Sequence, residues 1–369
     1  MSTPRRTCLY DLHLANGGRM VDFAGWEMPL RYGPGPVAEH EACRSGAALF
    51  DVSHMGIVEI SGPDAARRLE AVLPAAVSAL APGTLKYSFL LDADGGVVDD
   101  VIVTGGPGPD GPVTLVVNAG NTVEDLVHLR LHLADDLTIS HRDDLALVAL
   151  QGPTAADVLA RFDPGPSALG FMQAGGATIG GIEVDVTRSG YTGEDGFELM
   201  VAVDEAVELV EGLLATGAVT LAGLAARDSL RLEAGLCLHG HDLDRTTTPV
   251  EAGLVWAIPP GRRRDGGFLG AEAVARQLAD GPPRHRVGIR PAGRKPVRDG
   301  AELRTATGEV VGTVTSGGFG PTLGAPVAMG YVTAGHHEPG TELVADVRGT
   351  DVPVAVTALP FVPHRYHRP

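Results

Sequence analysis

Lysine is nearly missing from this 369-residue chain, occurring only at positions 86 and 295. Arginine carries almost all the positive charge, which reflects genome composition rather than mechanism. A Schiff-base mechanism would have only those two candidates. Cysteine is scarce as well. Cys8, Cys43 and Cys237 are odd in number, far apart and form no CxxC pair. A disulfide framework and a zinc knuckle are therefore not expected, and a reducing cytoplasm is the expected location. No h-region follows Met1, so no secretory signal is expected. No run of about 18 apolar residues occurs, so no membrane span is expected. The apolar stretch 212–226 is broken by glycine and threonine. No GxGxxG follows a strand and no Walker loop is present, which argues against a Rossmann or P-loop nucleotide enzyme. Excess basic charge is absent too. A net charge of −17 argues against non-specific binding to nucleic acid or an anionic membrane, with the run 262–264 as one local basic exception.

What is present is an ordinary soluble composition, 44% hydrophobic and 20% charged, in a chain long enough for about two or three domains. Its most informative stretch is 87–103. Two β-rich runs flank Asp92-Ala93-Asp94-Gly95-Gly96, an Asp-Gly hairpin signal. The second run carries Asp99 and Asp100 among β-branched residues. Alternation puts Asp99 with Val97, Val101 and Val103, and Asp100 with Val98 and Ile102. At least one carboxylate thus lies on a face suited to burial, where it needs a hydrogen-bonding partner from the protein or a ligand.

Around this hairpin the order strand, helix, hairpin, strand, helix predicts an α+β arrangement rather than a doubly wound one. Residues 20–32 read as an irregular, well-buried segment. A helix is expected over 37–48, then a strand over 57–60, with Asp51 and His54 between them as a turn cap and a core histidine. The loop 105–111 is rich in glycine and proline. A helix is expected over 122–131 after the strand 113–118. Residues 188–198 form a glycine-rich loop leading into a strand that bears Glu198; its bland reading is a solvated hairpin tip. The helix 223–236 carries Arg227 and Arg231 four apart on one side, suited to surface salt bridges or to a guanidinium at a pocket wall. His239 and His241 with nearby carboxylates prompt a metal check, but the spacing is generic and no metal site is expected. Residues 261–267 and 279–283 read as a linker zone. Short strands beyond it predict a small β-barrel or sandwich, which puts a domain boundary near 280.

Several of these stretches, taken in order, resemble the aminomethyltransferase (T-protein) family of the glycine cleavage system. They are 20–32, 50–56, 95–103, 189–198, 223–233, 236–249 and 315–324, the last reading Thr-Ser-Gly-Gly-Phe-Gly-Pro-Thr-Leu-Gly. The match runs from Leu9 to Tyr366. The resemblance implies a three-lobed cloverleaf around a central folate pocket. Two interleaved α+β lobes would fill 1–280, and a C-terminal β-barrel 281–369. It implies that Asp100 is the catalytic acid near the folate pterin and N10. It also implies that Tyr87, Asn118, Tyr191, Glu198, Arg227 and Tyr366 bind the cofactor, tetrahydrofolate, a co-substrate. The partner would be the lipoylated H-protein, whose aminomethyl group passes its methylene to the folate with release of ammonia. No activated Ser or Cys nucleophile is required, because a folate nitrogen attacks.

Two positions depart from the family pattern. His239-Gly240 stands where Tyr-Gly is usual, and Phe319-Gly320-Pro321 where Phe-Ser-Pro is common. They are the support for an alternative, a folate-dependent demethylase or specialised one-carbon transferase on the same fold. A non-catalytic folate-binding relative would carry a cysteine in the glycine-rich loop, and 189–198 has none.

Overall fold

The computed structural model describes residues 3–368 apart from 107, 109–110 and 134–135. Part of the 105–111 loop therefore lies outside the described residues.

The central hairpin pairs Leu85–Leu91 antiparallel with Val97–Thr104. Gly95 turns the chain at φ 84°. Asp92 Oδ1 accepts the backbone N–H groups of Asp94 and Gly96 at 3.0 and 2.9 Å, closing the loop as an Asx turn. The register runs Leu90 to Asp99 and then Leu91 to Val97, so Val98 is the extra residue of a β-bulge. The bulge changes the alternation read from sequence. Val98 joins Val101 and Val103 in one core, while Val97 packs with Phe89 and Leu91 in another.

This hairpin opens a five-stranded sheet, continued by Val113–Val117, Gly56–Ser61 and Thr138–His141. Helices Ala65–Leu69 and Thr122–His132 cover its apolar face through Leu69 and Leu129. A six-stranded sheet forms the second lobe, in the order Ala174–Ile179, Ile182–Thr187, Gly196–Ala202, Leu145–Gln151, Ala47–Asp51, Val219–Leu221. Ala155–Leu159 and Ala206–Ala215 pack on one face. Pro36–Ser45 and Leu224–Glu233 pack on the other through Cys43, Ala226 and Leu230. The lobes interleave because Ala47–Asp51 precedes the first lobe in sequence and its antiparallel neighbour Leu145–Gln151 follows it. The third lobe is a closed six-stranded barrel, Arg284–Pro291, Ala325–Thr333, Val310–Gly320, Glu302–Arg304, Glu342–Asp346 and Asp351–Thr357. The fold is α+β, with a barrel rather than a sandwich at its C-terminal end.

Two local expectations are corrected. Residues 20–32 are not irregular: Arg19–Phe23 and Trp26–Arg31 form a hairpin that also pairs with Arg5–Arg6. Ala24 and Gly25 both have positive φ, 51° and 77°, as a two-residue turn of this kind demands. The burial expected of this segment holds only for its second half: Met28 and Tyr32 are buried, whereas Asp22 and Phe23 are exposed. The linker reading of 261–267 also gives way, to a helix over Pro260–Asp265. Its proline occupies the first helical turn, where a missing N–H costs nothing, and Gly266 ends it at φ 65°.

Candidate functional site

A cavity of about 1250 Å³ lies where the lobes meet. Tyr87, Asp100, Asn118, Tyr191, Glu198, Arg227 and Tyr366 all line it, so residues far apart in sequence converge on one space. The hairpin supplies Tyr87 and Asp100. Their positions are diagonal across the strand pair, and the Tyr87 hydroxyl donates to Asp100 Oδ2 at 2.8 Å. On the other side Asn118 Nδ2 donates to Asp100 Oδ1 at 3.0 Å and to Asp99 Oδ1 at 2.8 Å. Burial, followed by the charge of Asp99, raises the Asp100 carboxyl to about 6, against the opposing effect of Tyr87, His239 and Asn118.

Asp99 turns away from the cavity and is fully buried. Asn118 holds it through both its backbone N–H and its side-chain amide, each at 2.8 Å. Sequence alternation separated the two acids correctly but gave no sign that one asparagine would clasp both.

The glycine-rich loop is buried rather than a solvated tip. Ser189, Thr192 and Glu194 are all inaccessible. Arg188 clamps its far end by a bidentate pair with Asp195, at 3.0 and 2.6 Å. A Cβ at Gly190 would sit 1.9 Å from Gln151 Oε1, so the backbone lies flat on that side chain. This close approach aims Tyr191, whose hydroxyl donates to the carbonyl of Cys237. Ser189 donates to Glu198 Oε2 at 2.8 Å.

The two arginines of Leu224–Glu233 part company. Arg231 is structural, bonded to Asp228 at 2.8 Å, to Asp242 at 2.9 Å and to Ser316 at 3.0 Å. Arg227 stacks its guanidinium 4.8 Å above the Tyr191 ring, and its Nη1 is buried without a hydrogen-bond acceptor among the described residues. Burial lowers its pKa, with the Glu198 charge opposing. A buried, unsatisfied guanidinium donor on a cavity wall is suited to an anionic or carbonyl oxygen of a ligand.

Sequence reasoning missed several wall residues. Trp256 stacks on Tyr87 with ring centroids 5.6 Å apart, and Phe171 on Tyr366 at 3.9 Å. Trp256 sits on the short 3-10 turn Val255–Ala257, and Phe171 and Tyr366 lie outside regular elements, where no periodicity reveals the course of the chain. His54 is buried as a core histidine would be, but it lines the cavity, and its Nδ1 has no hydrogen-bond partner among the described residues. Burial pushes it down to about 4, so it is neutral near pH 7. Asp51 does cap the turn at Ser53, and it also accepts bonds from Thr7 and His13. Among the described residues no group of three or more His, Cys, Asp or Glu side chains is arranged to hold a metal ion. His239 stands behind Asp100, 3.8 Å from Asp99 and 3.1 Å from Asn121 Nδ2. Gly320 sits against Glu233, where a Cβ would come 2.9 Å from Oε1.

Two family models cover this architecture. Residues 9–261 match the GCVT N-terminal domain, and 284–363 match the glycine cleavage T-protein C-terminal barrel domain. The chain belongs to the glycine cleavage T-protein family. It is 44% identical to the mitochondrial aminomethyltransferase of Flaveria trinervia, over 99% of this chain and 91% of the relative. Identity to the mitochondrial aminomethyltransferase of Gallus gallus is 43%, over 98% and 94%. The crystal structure of the glycine cleavage system aminomethyltransferase T from Bartonella henselae superposes with a TM-score of 0.94, at 43% identity and full coverage of both chains. As a T-protein the chain is a tetrahydrofolate-dependent aminomethyltransferase, and a demethylase reading is not favoured by these relatives. One expectation is overturned. A cytoplasmic location does not stand beside curated relatives named as mitochondrial enzymes.

Proposed function

We propose that the cavity holds tetrahydrofolate with its reacting nitrogens at Asp100, beside the aminomethyl-dihydrolipoyl arm of a lipoylated H-protein. The reaction balances without an enzyme nucleophile. The folate N5–H and N10–H are replaced by two N–C bonds to the methylene. That carbon leaves sulfur and nitrogen, and the two protons end on the lipoyl thiol and on ammonia. The protein has to orient two substrates, exclude water and hold charge where cations develop. A single carboxylate with a raised pKa is suited to taking and returning a folate proton near neutral pH. Tyr87 and Asn118 hold that carboxylate, Glu198 accepts N–H groups of the folate, and Tyr191 and Tyr366 pack against its rings. Arg227 donates to a folate oxygen.

The observation that carries this reading is the convergence of Tyr87, Asp100, Asn118, Tyr191, Glu198, Arg227 and Tyr366 on one cavity. The volume supports it, since about 1250 Å³ exceeds what one drug-sized ligand needs and leaves room for a second substrate arm. We also propose that 1–280 forms the folate-binding region and that 281–369 closes the pocket as the barrel domain. Partners beyond H-protein and folate are not invoked. The net charge of −17 disfavours nucleic acid, and among the described residues no helix is long and apolar enough to cross a membrane. Calorimetry with tetrahydrofolate tests the assignment. Glu198→Ala is expected to weaken binding by about tenfold, the usual cost of a lost hydrogen bond to a charged group. Unchanged affinity would move the folate away from this wall.

A further inference from the structure

Behind Asp100 lies a carboxyl group that the reaction does not use. Asp125 projects from Thr122–His132 and has no exposed surface. Neither of its carboxyl oxygens accepts a hydrogen bond from an N–H or a hydroxyl among the described residues. An anion there would have given up its hydration with nothing to replace it. Its carboxyl lies within hydrogen-bonding reach of the Asp99 carboxyl, a pair that makes a bond only if one of the two carries a proton. Asp99, by contrast, is well supplied with donors: the backbone and side-chain N–H groups of Asn118 at 2.8 Å, and Asn121 Nδ2 at 3.2 Å. When two carboxyl groups meet, one proton is shared between them, and it settles on the group that lacks donors.

We infer that Asp125 is a positioning residue: a neutral carboxylic acid that donates its O–H to the Asp99 carboxylate, which grips Asn118 and through it fixes Asp100. The inference rests on the reading of Asp100 as the acting carboxylate. The links are continuous. Asn118 Nδ2 contacts Asp99 Oδ1 at 2.8 Å, Asp100 Oδ1 at 3.0 Å and the Asp100 carbonyl at 3.1 Å. Burial first, then the Asp99 charge, pushes Asp125 up to about 10, in keeping with a neutral acid at pH 7.

The surrounding groups leave this arrangement undisturbed. Glu124, on the same helix, faces solvent and pairs with Arg245. His128, one turn on, is pushed down to about 4 by burial and is neutral. From the opposite side His239 reaches Asp99 only at 3.8 Å, and the Tyr87 hydroxyl is committed to Asp100. With Asp125 neutral, a single negative charge stands behind Asp100 rather than two.

The test uses the full-length chain with Asp125→Asn and Asp125→Ala. An amide N–H can replace the acid O–H. Asp125→Asn is therefore expected to keep the single-turnover rate within about threefold and leave the acid limb of its pH profile in place. Asp125→Ala removes the donor and is expected to slow turnover by about tenfold with folate affinity within about twofold. If Asp125 were an anion, Asp125→Asn would delete a charge and move the acid limb down by about one pH unit. That shift, or an unchanged rate in Asp125→Ala, overturns the inference. Infrared difference spectra are independent of turnover. At pH 7 the wild-type protein should show a protonated-carboxyl C=O band that Asp125→Asn lacks, and identical spectra would count against the proposal even if Asp125→Ala fails to fold. A fully active Asp100→Asn would instead overturn the reading of Asp100, which separates the two failures.

Discussion

Asp100 and Arg227 illustrate how one residue can be prepared for a ligand by what its surroundings withhold. Asp100 is half-buried beside a second acid, and its carboxyl is raised to about 6 from the ordinary value near 3.8. If the ionised form acts on the folate, the sign follows directly: the carboxylate is complete well above pH 6 and is lost as pH falls through 6. Turnover measured at saturating folate should therefore decline on the acid side with a midpoint near 6. A midpoint near 4 would mean that Asp100 does not titrate in the rate-limiting step. Arg227 and Arg231, one helical turn apart, give an internal contrast. Arg231→Ala breaks a buried pair with Asp242 and should destabilise the fold by about 3–5 kcal/mol, read as a fall in denaturation midpoint. Arg227→Ala removes a guanidinium whose Nη1 has no acceptor among the described residues. It should leave stability nearly unchanged and weaken folate binding by about tenfold in calorimetry. If the two variants behaved alike, the division between structural and ligand-facing arginine would be wrong.

At the scale of elements, the glycine-rich loop and the hairpin do most of the positioning. Gly190 lies against Gln151 with no room for a Cβ. Gly190→Ala must push that side chain aside, which typically costs about 1–3 kcal/mol, and should disturb Tyr191 with it. The expected outcome is a lowered melting temperature together with weaker folate binding; a neutral effect on both would show the loop to be slack. These elements also mark how far the sequence could be read. The hairpin, the barrel strands and the charged helix were legible because their signals are local: an Asp-Gly turn, period-two alternation, charges four apart. The β-bulge at Val98 was not, since an extra residue in one strand is defined by its partner's register. The hairpin over Arg19–Arg31 was hidden by its aromatic and methionine content, which suggests burial, while its Ala-Gly turn is a weak signal. The cavity-lining residues Tyr87, Asp100, Asn118, Tyr191, Glu198, Arg227 and Tyr366 became legible through ordered motifs. Their neighbours Trp256, Phe171 and His54 did not, because stacking partners come from unrelated parts of the chain.

Across the whole molecule, Glu233 ties the lobes together. Its carboxylate accepts Arg44 at 3.0 Å and the backbone N–H of Thr322, in the segment after Val310–Gly320, at 2.8 Å, with His40 at 3.2 Å. Burial opposes its ionisation, yet hydrogen bonds from His40, Thr322 and Arg44 bring it down to about 2. A depressed carboxyl contributes stability that is complete above its unfolded value of 4.5 and is lost as pH falls from there towards 2. Glu233→Gln should therefore lose stability at pH 7 and show a flatter acid-denaturation curve between those limits. Equal slopes in variant and wild type would remove Glu233 from the acid transition.

The central claim is that Asp100 acts on folate in the cavity between these lobes. Single-turnover formation of 5,10-methylenetetrahydrofolate from aminomethylated H-protein and tetrahydrofolate tests it most directly, with wild type and Asp100→Asn side by side. Rapid formation with matching ammonia release is expected in the wild type. In Asp100→Asn the rate is expected to be lower by about 100-fold, with folate affinity within a few-fold. Equal rates in the two proteins would contradict it.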